Sequence, residues 1–214
     1  MYDLFVFDLD GTLIDSVGDI ADALNHVLQP YGVAPHDDAR VAGFIGSGVR
    51  ELVRRALPPE LLPRLDELTQ TYRAHYLQMP TRRTTLYPGV AATLAALPGK
   101  KAVATNKPGA LSRRITAELG IDRHFFAVLG EDDVGRVKPD PTIVDRLREQ
   151  ANVPHARTLY VGDSLVDADT AGAARVDLAL VGYGYADPKA IAARAARFHV
   201  ARFDELLQLA HQRA

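Results

Sequence analysis

The stretch Phe5-Val6-Phe7-Asp8-Leu9-Asp10-Gly11-Thr12 is an apolar run that stops on two carboxylates at alternate positions, followed by glycine and threonine. Read as a buried strand, its two-residue period places Asp8 and Asp10 on the same side of the extended chain. Gly11 permits a sharp turn directly after them. An open parallel sheet keeps its ligand crevice outside the carboxyl ends of its strands, so this pair stands where ligands bind. Two like charges held close are costly unless a cation or a shared proton relieves them. The stretch also fits a plainer arrangement, a strand entering an acidic surface turn ahead of a capped helix.

Working outward, apolar runs bounded by turn residues recur at 4–7, 102–105, 126–129, 159–161 and 178–181, with a weaker one at 199–202. Helical patterns at 89–97, 110–119, 141–151, 165–174 and 188–196 separate the later ones. Strands alternating with helices predict an α/β fold, a Rossmann-like doubly wound parallel sheet. The interval 15–83 breaks the alternation and reads as helices only. Val17, Ile20, Ala21, Leu24, Val27 and Leu28 form one stripe at helical spacing, and Val49, Leu52, Val53, Ala56 and Leu57 form another. Residues 61–77 supply a longer third helix. The expected organisation is a core of residues 1–14 and 84–214 with an all-helical cap, 15–83, inserted after the first strand, hinged near 13–16 and 82–88.

Composition narrows the function. The 214 residues hold 25 Lys plus Arg against 27 Asp plus Glu, so bulk charge implies no nucleic-acid partner. With no cysteine, disulfides, thiolate metal sites and thiol nucleophiles are excluded. Neither a secretory leader nor a run of transmembrane length is visible, so no membrane partner and a cytoplasmic location are expected.

Three further signals fall at strand ends. Thr105-Asn106-Lys107-Pro108 brings a hydroxyl and an amide to the second strand tip, where Thr105 either caps the next helix or faces the site. Lys138, ahead of Pro139-Asp140-Pro141, either sits in solvent or reaches inward toward an anion. Gly162-Asp163-Ser164 ends another strand, with Asp167 following; Asp163 is either a helix cap or a second carboxylate of the site.

Taken together, Asp8-Leu9-Asp10-Gly11-Thr12, Thr105, Lys138 and Gly162-Asp163-Ser164-Leu165-Val166-Asp167 resemble the four motifs of the haloacid dehalogenase superfamily, along essentially the whole chain. The resemblance implies a phosphate monoester hydrolase in which Asp8 attacks phosphorus to form an aspartyl-phosphate. It implies that Asp10 protonates the leaving oxygen and then activates water. Mg²⁺ would be held by Asp8, the Asp10 backbone carbonyl and Asp163, with Asp167 as a supporting carboxylate. Thr105 and Lys138, with backbone N–H groups near Gly11 and Asn106, would bind the phosphoryl oxygens. Asp10 argues against a dehalogenase, and the absence of lysine between Asp15 and Arg83 argues against a Schiff-base phosphonatase. His26 alone keeps a phosphomutase in view.

Phe44-Ile45-Gly46-Ser47-Gly48, Tyr87-Pro88-Gly89-Val90, Gly130-Glu131-Asp132-Asp133 and Tyr183-Gly184-Tyr185 resemble the bacterial phosphoglycolate phosphatases, a group that often has Asn where Ser47 stands. The resemblance implies a small phosphorylated acid such as 2-phosphoglycolate as substrate. Pyrophosphate, a sugar phosphate or a nucleotide are the alternatives, and a non-catalytic phospho-ligand binder is the rival from another class. In the cap, Ser47 and Gly48 open a helix with Arg50 one turn in, and this corner is expected to receive the substrate carboxylate. Monomer and dimer are equally compatible with the sequence.

Overall fold

The computed structural model describes residues 1–210. Its strands are β1 (Leu4–Phe7), β2 (Ile14–Asp15), β3 (Thr85–Leu86), β4 (Lys100–Ala104), β5 (Ala127–Leu129), β6 (Thr158–Gly162), β7 (Asp177–Val181) and β8 (Phe198–Val200). Six of them form one parallel sheet in the order β5-β4-β1-β6-β7-β8. The strand after β1 in the sheet, β4, lies on one side of it, and the chain later crosses to β6 on the other. That reversal opens a crevice at the carboxyl ends of β1, β4 and β6.

The alternation within β1 sorts its side chains into two layers. Leu4 and Val6 join a cluster with Ile143 and Leu147, whereas Phe5 and Phe7 join one with Leu94 and Ile115. Those partners belong to helices that flank the sheet: α5 (Val90–Ala96), α6 (Gly109–Glu118) and α8 (Thr142–Ala151). Both faces are therefore covered, and every residue of β1 is buried.

Four helices interrupt the chain between β2 and β3: α1 (Val17–Leu28), α2 (Asp38–Ala42), α3 (Val49–Ala56) and α4 (Leu65–Tyr76). The expected third helix over 61–77 is shorter than its apolar pattern. Pro59–Arg64 is a 3₁₀ segment containing Pro63, and the α-helix begins only at Leu65, since proline lacks the N–H that a regular turn requires. The α2 turn, with Asp37 accepting from the Arg40 N–H, has too few apolar positions to show a period. At the base of the insert β2 and β3 pair antiparallel, Ile14 opposite Leu86 and Asp15 opposite Thr85. From the sequence both segments are expected as plain hinges, because two-residue strands leave no periodic signal.

The remaining helices are α7 (Glu131–Val134), α9 (Leu165–Ala173), α10 (Pro188–Ala193) and α11 (Leu206–Leu209). Among the described residues no helix is long and apolar enough to cross a membrane.

Candidate active site

Asp8 leaves β1 with its N–H donating to the Val161 carbonyl (2.9 Å), so the sheet itself aims this residue at the crevice. Lys138 reaches the same point from the segment ahead of α8 and is buried rather than solvated. Its Nζ lies 2.7 Å from Asp8 Oδ1 and 2.7 Å from Asp167 Oδ1, and donates to the Tyr160 hydroxyl (3.0 Å). Asp8, Asp163 and Asp167 each bring a carboxylate oxygen within 4.8 Å of the others.

The two later carboxylates differ in what they have left to offer. Asp167 accepts five hydrogen bonds, from Lys138, Tyr160, the N–H groups of Asp163 and Ser164, and the Ser164 hydroxyl. Ser164, not Asp163, caps α9, in a reciprocal capping box with Asp167. Among the described residues Asp163 accepts only from the Thr12 hydroxyl (3.1 Å) and the Tyr185 N–H (2.8 Å), one on each oxygen. Since each carboxylate oxygen has two lone pairs, Asp163 keeps capacity for a ligand that Asp167 has used.

Glycine is required around Asp163. Gly11 has φ +84°, and a Cβ there would stand 2.4 Å from the Asp163 carboxylate; one on Gly184 would stand 2.2 Å from the Asp163 Cβ. The Gly11 N–H is taken by the Ile14 carbonyl (2.9 Å). This residue thus gives the turn and the room for Asp163, and its own amide is not free for a phosphoryl oxygen.

Burial pushes the Asp8 carboxyl up to about 7, with Lys138 opposing and Asp167 and Asp10 adding to the rise. Asp163 is pushed well up by burial and then by the charges of Asp167 and Asp8. Burial also works against Asp167, but Lys138, Ser164 and Tyr160 outweigh it and hold that carboxyl below its ordinary range. Lys138 likewise keeps its proton despite burial because Asp167 and Asp8 face it.

Asp10 is placed differently from Asp8. Its carboxylate accepts from the Ser16 hydroxyl (2.5 Å) and from Lys107 Nζ (2.8 and 3.0 Å). Lys107 is buried, with its Nζ 4.9 Å from the Tyr76 ring centre of α4. Four carboxylates, Asp8, Asp10, Asp163 and Asp167, therefore share this pocket with two ammonium groups, Lys107 and Lys138. A divalent cation suits that excess, and an all-oxygen donor set suits Mg²⁺.

Thr105 is buried beside this group and lines a cavity of about 40 Å³ with Asp8, Asp10 and Lys107. It does not cap α6, whose N-cap is Pro108; its hydroxyl accepts from the Lys107 N–H (3.1 Å). The Asn106 side chain is spent on structure. It accepts from the Lys138 N–H (2.7 Å) and donates to the carbonyls of Lys138 (3.1 Å) and Gly46 (2.9 Å), tying the loop after β4 to the insert.

On the insert, Gly48 is the N-cap of α3 and lines the same cavity, to which Ile20, Leu52 and Tyr72 add apolar wall. Ser47 lines an adjoining open cavity of about 370 Å³ together with Asp8, Asp163 and Arg55. Arg50, expected at this corner, lines neither cavity. Its side chain is 62% exposed and paired with Asp66 (2.9 Å), on the outward side of α3. Arg55 is the cation that reaches the opening, held by Glu51 (2.8 Å), the Ser47 hydroxyl (3.3 Å) and the Gly43 carbonyl (3.3 Å). It lies seven residues beyond Gly48, about two helical turns, and no local motif marks it. Lys107 did carry a signal, its place in the strand-tip sequence Thr105-Asn106-Lys107-Pro108. His26 stacks on His75 with ring centres 3.8 Å apart, and neither lines the cavities that contain Asp8.

A parallel α/β sheet with helices inserted after its first strand and with these charged groups at its strand ends defines a hydrolase class, and the chain belongs to the haloacid dehalogenase-like hydrolases, whose family model matches residues 5–181. Within that class it is related to phosphoglycolate phosphatases. It is 39% identical over 189 residues to the plasmid phosphoglycolate phosphatase of Cupriavidus necator, covering 86% of this chain and 82% of that one. It is 41% identical over 187 residues to the phosphoglycolate phosphatase of Cereibacter sphaeroides, covering 84% and 85%. The crystal structure of a predicted phosphoglycolate phosphatase from Haemophilus somnus 129pt superposes with a TM-score of 0.88 at 28% identity, covering 97% of each chain.

Proposed function

We propose that this enzyme is a Mg²⁺-dependent phosphate monoester hydrolase acting through an aspartyl-phosphate, with 2-phosphoglycolate or a similar small phosphorylated acid as substrate. The observation that carries the reading is the convergence of Asp8 and Asp163, both buried with spare lone pairs, with Lys138 held against Asp8. Asp8, the Asp10 backbone carbonyl and Asp163 would hold Mg²⁺, which would neutralise charge at the transferring phosphoryl group.

Lys138 orients Asp8 and offsets its charge. An Asp8 oxygen attacks phosphorus, the phosphorus–oxygen bond of the ester breaks, and Asp10 gives its proton to the departing alkoxide. Asp10 then takes a proton from water as that water attacks the phosphorus of the aspartyl-phosphate. The bond to Asp8 breaks, inorganic phosphate leaves, and both aspartates regain their starting forms. The Thr105 hydroxyl and Lys138 face the phosphoryl oxygens and stabilise the charge that builds on them. Lys107, 2.8 Å from Asp10, fixes the acid–base carboxyl in place.

Residues 15–83 act in this reading as a cap over a core of 1–14 and 84–214, excluding bulk water while the ester is bound. The substrate carboxylate lies at the opening beside Ser47 and Arg55, where a guanidinium faces the cavity that contains Asp8. Support for a phosphorylated acid comes also from the named activity of the C. necator and C. sphaeroides relatives.

The test is release of inorganic phosphate from p-nitrophenyl phosphate and from 2-phosphoglycolate with Mg²⁺. Turnover that EDTA and Asp8→Asn both abolish is expected, with 2-phosphoglycolate preferred. Binding of phosphate esters with no turnover of any would identify a binder and overturn the reaction; preference for uncharged esters would overturn the substrate.

A further inference from the structure

Tyr185 touches both halves of the molecule. Its backbone N–H donates to Asp163 Oδ2 (2.8 Å). Its phenol oxygen accepts the N–H groups of Ser16 (2.7 Å) and Val17 (3.1 Å) and donates to Asp15 Oδ1 (3.0 Å). Those three residues are where the chain leaves β2 and enters α1, the first helix of the insert.

Its neighbours grip the same carboxylate. Gly184 packs against the Asp163 side chain so closely that no Cβ fits. The Tyr183 hydroxyl donates to the Thr12 carbonyl (2.8 Å), and the Thr12 hydroxyl donates to Asp163 Oδ1 (3.1 Å). Both oxygens of Asp163 are thus set, directly or through Thr12, by one three-residue segment, and that segment also holds the base of the insert.

We propose that Tyr185 is a positioning residue that couples cation binding at Asp163 to the seating of the inserted helices. The proposal rests on the reading that Asp8 and Asp163 hold Mg²⁺. The phenol uses its one proton and accepts twice, so swinging α1 away removes all three bonds together. Rotating Asp163 shifts the backbone of residue 185, and the ring moves with it. Coupling of this kind is reciprocal: Mg²⁺ favours the seated hinge, and the seated hinge raises the affinity for Mg²⁺.

Tyr185→Phe keeps the ring and the N–H to Asp163 while removing the hydroxyl. Calorimetric titration of the whole enzyme with MgCl₂ is expected to show a Kd about tenfold weaker than wild type, within the usual range for coupled sites. Hydrogen exchange at the Ser16 and Val17 amides, slowed by Mg²⁺ in wild type, is expected to lose its response to Mg²⁺ in the variant. Asp15→Ala, which removes the acceptor of the phenol proton and makes no hydrogen bond to Asp163, is expected to weaken Mg²⁺ binding in the same direction. An unchanged Kd in both variants, or Mg²⁺-dependent protection that survives in Tyr185→Phe, overturns the coupling. A wild-type enzyme that binds no Mg²⁺ overturns instead the metal reading beneath it.

Discussion

On the floor of the site Asp8, Lys138, Asp163 and Asp167 are at most 6% exposed, and each is held by partners from different strand ends. On the rim, Arg50 is 62% exposed and Arg55 33%, and their partners lie on the insert itself. The floor is a buried charge network in which removing one member leaves another uncompensated. The rim is a set of long side chains in water, where pairing contributes little to stability. In the proposed reading the chemistry is thus tied to folding, whereas a rim that selects the substrate is free to change without disturbing the core.

The comparison breaks most decisively at Asp8. Asp8→Asn is expected to lower kcat by at least about 10³-fold, the scale seen when a nucleophile is removed, measured as phosphate release from p-nitrophenyl phosphate. Asp167→Ala tests whether the floor is structural as well. It leaves buried Lys138 facing Asp8 alone and removes the capping box of α9, so a loss of about 3 kcal/mol in urea unfolding is expected. A change under about 0.5 kcal/mol would show that the network does not stabilise the fold.

The floor also predicts a pH dependence. The Asp8 carboxyl is raised above its unfolded value to about 7. Its contribution to the stability of the metal-free protein is therefore complete below the unfolded carboxylate range and lost as pH rises through 7. A cation held at Asp8, as proposed, competes with that proton, so the gain in Tm on adding MgCl₂ is expected to be larger at about pH 8 than at about pH 6, by several degrees. An equal gain at both would place the cation away from Asp8.

Smaller effects belong to the rim. Arg55→Ala is expected to lower kcat/KM about tenfold for 2-phosphoglycolate, the cost of one charge-assisted hydrogen bond, and to leave p-nitrophenyl phosphate within about twofold. Arg50→Ala is expected to change neither substrate by more than about twofold, as befits an exposed pair. A reversal of these two results would return the substrate carboxylate to Arg50.

The two regions also differ in how far the sequence exposes them. Asp8, Asp10, Thr105 and Asp163 stand at the ends of apolar runs, where a two-residue period and turn residues mark each strand tip, and Lys138 stands ahead of the Pro-led start of α8. The linear pattern therefore marks the strands of the sheet and points to its acidic pocket. It also shows that 15–83 is helical, because the stripes of α1 and α3 repeat at helical spacing. Arg50 and Arg55 carry the same charge on the same short helix, and only the packing of α3 turns one toward Asp66 and the other toward the opening. The bonds of Tyr185 to Asp15, Ser16 and Val17 join positions about 170 residues apart, and no local period can encode them. Backbone preference and hydrophobic spacing act over a few neighbours, so the chain alone determined the six strands of the parallel sheet, most of the helices and the residue types at the strand tips, but not β2, β3 or α2. Which of those side chains meet, and what each has left to bind, depends on contacts distant in sequence, and the tertiary structure alone decided that.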